Sequence, residues 1–84
     1  MNSSAVSHEL PLTFLSRGES GVVVRLGGPD EVRRKLAEQG IIPGAEVQLV
    51  QSDPGANVVV RIGETRLMLD RSAAGRVFIR TGER

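Results

Sequence analysis

Lys35-Leu36-Ala37-Glu38-Gln39-Gly40-Ile41-Ile42-Pro43-Gly44 is the stretch on which the fold turns. It reads as the end of a helix. Gly40 falls at C′, the position that takes a left-handed backbone and favours glycine. Leu36 and Ile41 then become C3 and C″, the apolar pair that accompanies a Schellman cap. Pro43 forbids continuation. Reading backwards, the helix runs from Pro29 to Gln39. Pro29 suits the first helical position, where a missing N–H costs nothing. Asp30 and Glu31 favour the positive end of the helix dipole. Glu31 and Lys35 form an i,i+4 pair in the better order. Val32 and Leu36 share a face. Leu36 and Ile41 are assigned to the core, whereas Ile42 cannot join the helix and is a candidate for exposure.

Outward from this helix the pattern is β. Gly21 to Leu26 reads as a strand with Val22, Val24 and Leu26 on one face. After the helix, Ala45 to Val50 alternates with Val47 and Leu49 inward. Asp53-Pro54-Gly55 is a turn, because Pro pre-sets φ and Gly supplies a positive one. Asn57 to Ile62 places Val58, Val60 and Ile62 inward. Gly63-Glu64 is a two-residue hairpin loop, and Thr65 to Leu69 returns with Leu67 and Leu69 inward. Ser72 to Gly75 forms one helical turn. Arg76 to Arg80 closes with Val77 and Ile79 inward. Leu10-Pro11-Leu12 is an extended entry before a turn at Ser16-Arg17-Gly18. About five short strands with Gly and Pro turns between them suit a small closed barrel rather than an open sheet. The expected division is a flexible N-terminal tail at residues 1–9, one mainly β domain at 10–80 and a C-terminal tail at 81–84.

Composition removes many functions. The chain has 84 residues and no Cys, which excludes disulfide frameworks, zinc ribbons and thiol catalysis. Its one His, His8, sits beside Glu9 in the expected tail and offers too few ligands for a specific metal site. Phe14 and Phe78 are the only aromatics, too few for a single-strand stacking platform. Eleven Lys and Arg against ten Asp and Glu leave a net charge of +1, no footprint for nucleic acid. No apolar run approaches the roughly 20 residues that cross a bilayer, and the N-terminus lacks the features of a signal peptide.

Three features invite a chemical reading. Gly18, Gly21, Gly27 and Gly28 match neither a phosphate loop nor a dinucleotide fingerprint and are read as turn glycines. Arg33, Arg34 and Lys35 point about 100° apart around a helix and read as a solvated face, with an acidic partner surface as the alternative. The carboxylates are scattered, and no nucleophile–base pair can be read from their order. No catalytic residue, cofactor or metal ligand is assigned.

The ordered set of Leu15-Ser16-Arg17-Gly18-Glu19-Ser20-Gly21-Val22, the central stretch Lys35 to Gly44, Leu67-Met68-Leu69, Ala74 and Val77-Phe78-Ile79 resembles the ferrous iron transport protein A (FeoA) family. The resemblance spans about Leu10 to Arg80. Asp70 departs from it where a basic residue is frequent, and Gln39 where Met or Leu is. The resemblance implies a small SH3-like barrel with one short inserted α-helix. It implies a non-enzymatic, cytoplasmic accessory role in bacterial ferrous iron uptake, at the inner membrane through a FeoB-type transporter rather than by insertion. The helix end and its following turn are the expected contact surface. Ile42 is its apolar centre, and Arg34 and Gln39 flank it. Self-association is compatible with this reading, and nucleic acid is not expected. The alternatives are an SH3-like module unrelated to iron, binding protein or nucleic acid, and a weak transition-metal-binding protein.

Overall fold

The computed structural model describes residues 9–55 and 57–81. Six strands form one antiparallel sheet: β1 (Leu10–Pro11), β2 (Ser20–Leu26), β3 (Glu46–Ser52), β4 (Val58–Ile62), β5 (Thr65–Leu69) and β6 (Val77–Arg80), in the order β1-β6-β2-β3-β4-β5. Helix α1 (Asp30–Glu38) lies between β2 and β3, and α2 (Arg71–Ala74) between β5 and β6. The architecture is mainly β, with α1 as the short helix inserted between β2 and β3 and α2 as a single turn between β5 and β6. The strand beyond the expected five is β1, whose Leu10 and Pro11 pair with Ile79 and Phe78.

The sheet curls around a single core. Leu10 from one edge strand and Leu67 and Leu69 from the other pack against the same cluster, which contains Leu12, Val23, Val47, Leu49, Val58, Val60, Val77 and Ile79. The edge strands β1 and β5 are not neighbours in the hydrogen-bond order. The gap is spanned instead by α2, which packs against the 3₁₀ turn Leu12–Phe14. The expected barrel is thus completed by side-chain packing rather than by a ladder between its edges.

The helix end follows the cap chemistry. The Ile41 N–H donates to the Leu36 carbonyl at 3.0 Å and the Gly40 N–H to the Ala37 carbonyl at 2.9 Å. These are the 6→1 and 5→2 bonds of a Schellman motif, and Gly40 has φ +96°. Leu36 and Ile41 are buried. Immediately afterwards the Ala45 N–H donates to the Ile42 carbonyl at 3.0 Å, with Gly44 at φ +95°, a type II turn with Pro43 at its second position. At the other end Pro29 is the N-cap (φ −63°, ψ 155°) rather than the first helical residue. Arg33 pairs with Asp30, and among the described residues the expected Glu31–Lys35 ion pair is not formed.

Two bulges correct the alternation read from sequence. The β2–β6 register passes from Val23↔Ile79 to Arg25↔Phe78, so Val24 is an extra residue. Val23 is buried while Val22 is exposed, and Leu26 after the bulge returns to the core. Val22 and Leu26 therefore do not share a face. Val50 is the extra residue of the second bulge, between Leu49 and Gln51. Asp70, the departure from the family pattern, has a local structural role. Its Oδ1 accepts from the Ala73 N–H at 2.7 Å and caps α2, which starts at Arg71.

Gly21 is buried, and a Cβ there would lie 2.8 Å from Ile79 Cδ1 and 3.3 Å from the Arg80 carbonyl. Gly21→Ala is expected to cost about 1–3 kcal/mol by overpacking. The cost should shrink in an Ile79→Val background, which removes the opposing methyl. A urea double-mutant cycle measures the coupling. Gly40→Ala, forced into the left-handed region, is expected to lose about 1–2 kcal/mol in the same assay.

Candidate functional site

Helix α1 is held lightly. Leu36 is its one buried residue and Val32 is half-buried; the others are exposed. Pro29, Val32, Leu36 and Gln39 recur at helical spacing, and with Lys35 they make one stripe. This stripe faces Met68 and Leu69 at the end of β5 and Ala73 of α2 across a groove of about 370 Å³. The groove arises because a strand edge and a helix meet through few side chains.

The three residues expected at a contact surface surround the C-terminal end of α1 but do not form one stripe. Gln39 is the C-cap residue and lines the groove. Arg34, five positions earlier, lies about 140° away around the helix; it is exposed and does not line the groove. Ile42 stands 47% exposed on the type II turn. Its position is tightly determined. The Ile42 N–H donates to the Gly40 carbonyl at 3.1 Å, and two residues on, the Gly44 N–H donates to the Val23 carbonyl at 2.8 Å. An apolar side chain is thus displayed from backbone bonded on both sides.

The charges on α1 and β2 are sorted by pairing. Arg33 is engaged with Asp30. Arg25 is engaged with Glu9 at 2.8 Å, and its guanidinium lies 4.0 Å from the centroid of the Phe78 ring. Arg34 and Lys35 form no ion pair among the described residues. The basic run is therefore three separate environments, one for each residue. Among the described residues no three His, Cys, Asp or Glu side chains group as a metal ion requires, and His8 lies outside them.

Sequence reasoning did not identify Met68 as a surface feature. It is 64% exposed, on the outer face of an edge strand and at the lip of the groove. Its alternation with Leu67 and Leu69 was a signal for outward placement. That β5 would be an edge, and that α1 would stand beside it, depend on the strand order.

A family model described as the FeoA domain matches residues 10–81. The structure is similar to an iron uptake regulatory protein, FeoA, with a TM-score of 0.83 and 32% identity, covering 89% of this chain and 100% of that one. It is also similar to FeoA of Stenotrophomonas maltophilia, an SH3 domain protein complexed with zinc. There the TM-score is 0.71 at 32% identity, covering 89% of each chain. A manganese-dependent transcriptional repressor shares the fold, with a TM-score of 0.83 at 18% identity, over 92% of this chain and 44% of that one. No curated protein matches the sequence significantly.

The adjacent isoleucines give a sharp contrast. Ile42→Asp is expected to cost only about 1 kcal/mol or less, because about half of the residue already meets water. Ile41→Asp places a carboxylate in the core and is expected to cost about 4 kcal/mol or more. Thermal melts followed by circular dichroism measure both.

Proposed function

The chain belongs to the FeoA domain family, and on that premise we propose that it is a non-enzymatic accessory protein of bacterial ferrous iron transport. It acts by binding the cytoplasmic part of a FeoB-type membrane transporter and modulating that transporter's assembly or activity. The observation that carries this reading is the family match across residues 10–81. Support comes from the S. maltophilia FeoA, described as a candidate ferrous iron transport activating factor. No helix among the described residues is long and apolar enough to cross a membrane, so the proposed association with the inner membrane runs through the partner.

The contact surface proposed is the C-terminal end of α1 with its following turn. Ile42 supplies the apolar anchor, and Arg34 and Gln39 flank it with polar and charged contacts. Such an arrangement, an apolar residue ringed by hydrogen-bonding groups, concentrates binding energy at its centre. The rigid turn adds to it, since a side chain already held in place loses little freedom on docking.

Isothermal titration against the purified soluble cytoplasmic domain of a FeoB-type transporter tests the proposal. Wild-type protein is expected to bind. Ile42→Asp is expected to weaken binding about tenfold or more, and Arg34→Glu and Gln39→Ala to weaken it less. Absence of wild-type binding overturns the partner. Unchanged binding by a folded Ile42→Asp variant overturns the surface.

A further inference from the structure

Strand β5 ends the sheet. Its one strand neighbour is β4, and no other backbone bond to it is found among the described residues. The two-residue turn Gly63-Glu64 makes Ile62↔Thr65 a hydrogen-bonded pair. By antiparallel alternation Val60↔Leu67 and Val58↔Leu69 are hydrogen-bonded too. Arg66 and Met68 occupy the positions between, opposite Arg61 and Val59. Their N–H and C=O groups therefore point away from β4, toward the free edge. Both residues are exposed on the outer face.

Arg61 and Arg66 are opposed directly, at a non-hydrogen-bonded position where cross-strand side chains come closest. Like charges so placed destabilise a sheet. Neither arginine forms an ion pair among the described residues; the residue beside Arg61 on β3 is the uncharged Gln48, and Glu46 shares a surface depression with Arg61 without pairing to it. A charge on an edge strand guards against unwanted pairing, which accounts for Arg66. It does not account for Arg61, which sits on an interior strand.

We propose that the free edge of β5 is a strand-addition site for an extended acidic segment of a partner protein. An added strand takes its backbone hydrogen bonds from Arg66 and Met68. A carboxylate beside Arg66 neutralises the opposed guanidinium pair. The next residue points inward beside the half-buried Leu67, and the one after lies against Met68. The recognised pattern is an acidic residue followed by two apolar ones. The doubled charge disfavours a second copy of this chain as occupant, because joining two β5 edges would bring four arginines onto one face. The site is separate from Arg34 and Ile42, although Met68 shares the groove with Gln39; it rests on the backbone groups of Arg66 and Met68 and stands without the transporter reading.

Fluorescence anisotropy of the full chain with a short labelled peptide centred on Glu-Val-Ile tests the site, alongside a counterpart with Lys in place of Glu. The acidic peptide is expected to bind, more weakly at higher salt, and the Lys peptide to fail. Arg66→Glu is expected to weaken binding about tenfold or more. Met68→Pro should do the same, since it removes an edge-facing N–H while sparing the ladder to β4. In the wild-type protein, the Arg66 and Met68 amides should exchange more slowly with peptide bound, a readout that survives if Met68→Pro fails to fold. The proposal is overturned if the acidic peptide does not bind or leaves those amides unprotected. It is also overturned if a folded Met68→Pro binds equally well, if the chain dimerises through this edge, or if a single-stranded oligonucleotide binds the same arginines more tightly.

Discussion

The bond from the Ile41 N–H to the Leu36 carbonyl, 3.0 Å long, is the constraint on which the rest of the structure depends. It closes the Schellman cap, requires Gly40 to take φ +96°, and sends Ile41 back into the core beside the last buried residue of the helix. From there the chain has one short path to β3. The type II turn of Ile42 to Ala45 supplies it, and two bonds of 2.8 Å stitch that turn to Val23. Helix, turn and strand are fixed together by a handful of backbone groups, each of which would otherwise be an orphan at a helix end.

This constraint explains why the helix can be so lightly packed. With only Leu36 buried and Val32 half-buried, α1 contributes little apolar area. A helix of nine residues is marginal on its own. It persists because its C-terminal end is tied to the sheet through backbone hydrogen bonds. The same economy leaves most of the helix surface free, opens the groove toward β5, and turns Ile42 outward while its neighbour Ile41 turns in. Exposure of an apolar side chain here is a consequence of backbone geometry.

The features legible in the sequence were those governed by local rules. Gly40, Leu36 and Ile41 declared the cap because glycine tolerance and apolar spacing act within six residues. Val47, Leu49, Val58, Val60, Val77 and Ile79 declared the core through simple alternation, and all six are buried. The misreadings lay where partners outside the local window intervene. Val22 and Leu26 alternate as if on one face because no residue between them announces a bulge; the extra residue, Val24, shows only in the register of β2 against β6. Leu10–Pro11 is too short to show a period and becomes a strand only by pairing with β6. At the candidate site, the freedom of Ile42 could be argued from Pro43. The angular separation of Arg34 from Gln39 follows from helix geometry alone. The groove beside Met68 could not be read, because it needs the strand order.

Net charge is the clearest case of a sequence quantity that the fold redefines. A balance of +1 suggests a surface without electrostatic preference. The fold does not distribute that balance evenly. Arg25 and Arg33 are spent on Glu9 and Asp30, while Arg61 and Arg66, five positions apart in the chain, are brought face to face by a hairpin. A sum over residues cannot register this, because it weighs every charge equally and carries no distances. The Coulomb energy of two exposed charges falls with separation and is screened beyond about 8–10 Å at ordinary salt. A partner approaching β5 therefore meets its opposed arginines, whereas one approaching the end of α1 meets the exposed Ile42 and a helix end carrying Arg34, Lys35 and Glu38. Two surfaces of different chemistry coexist on a chain whose composition describes neither.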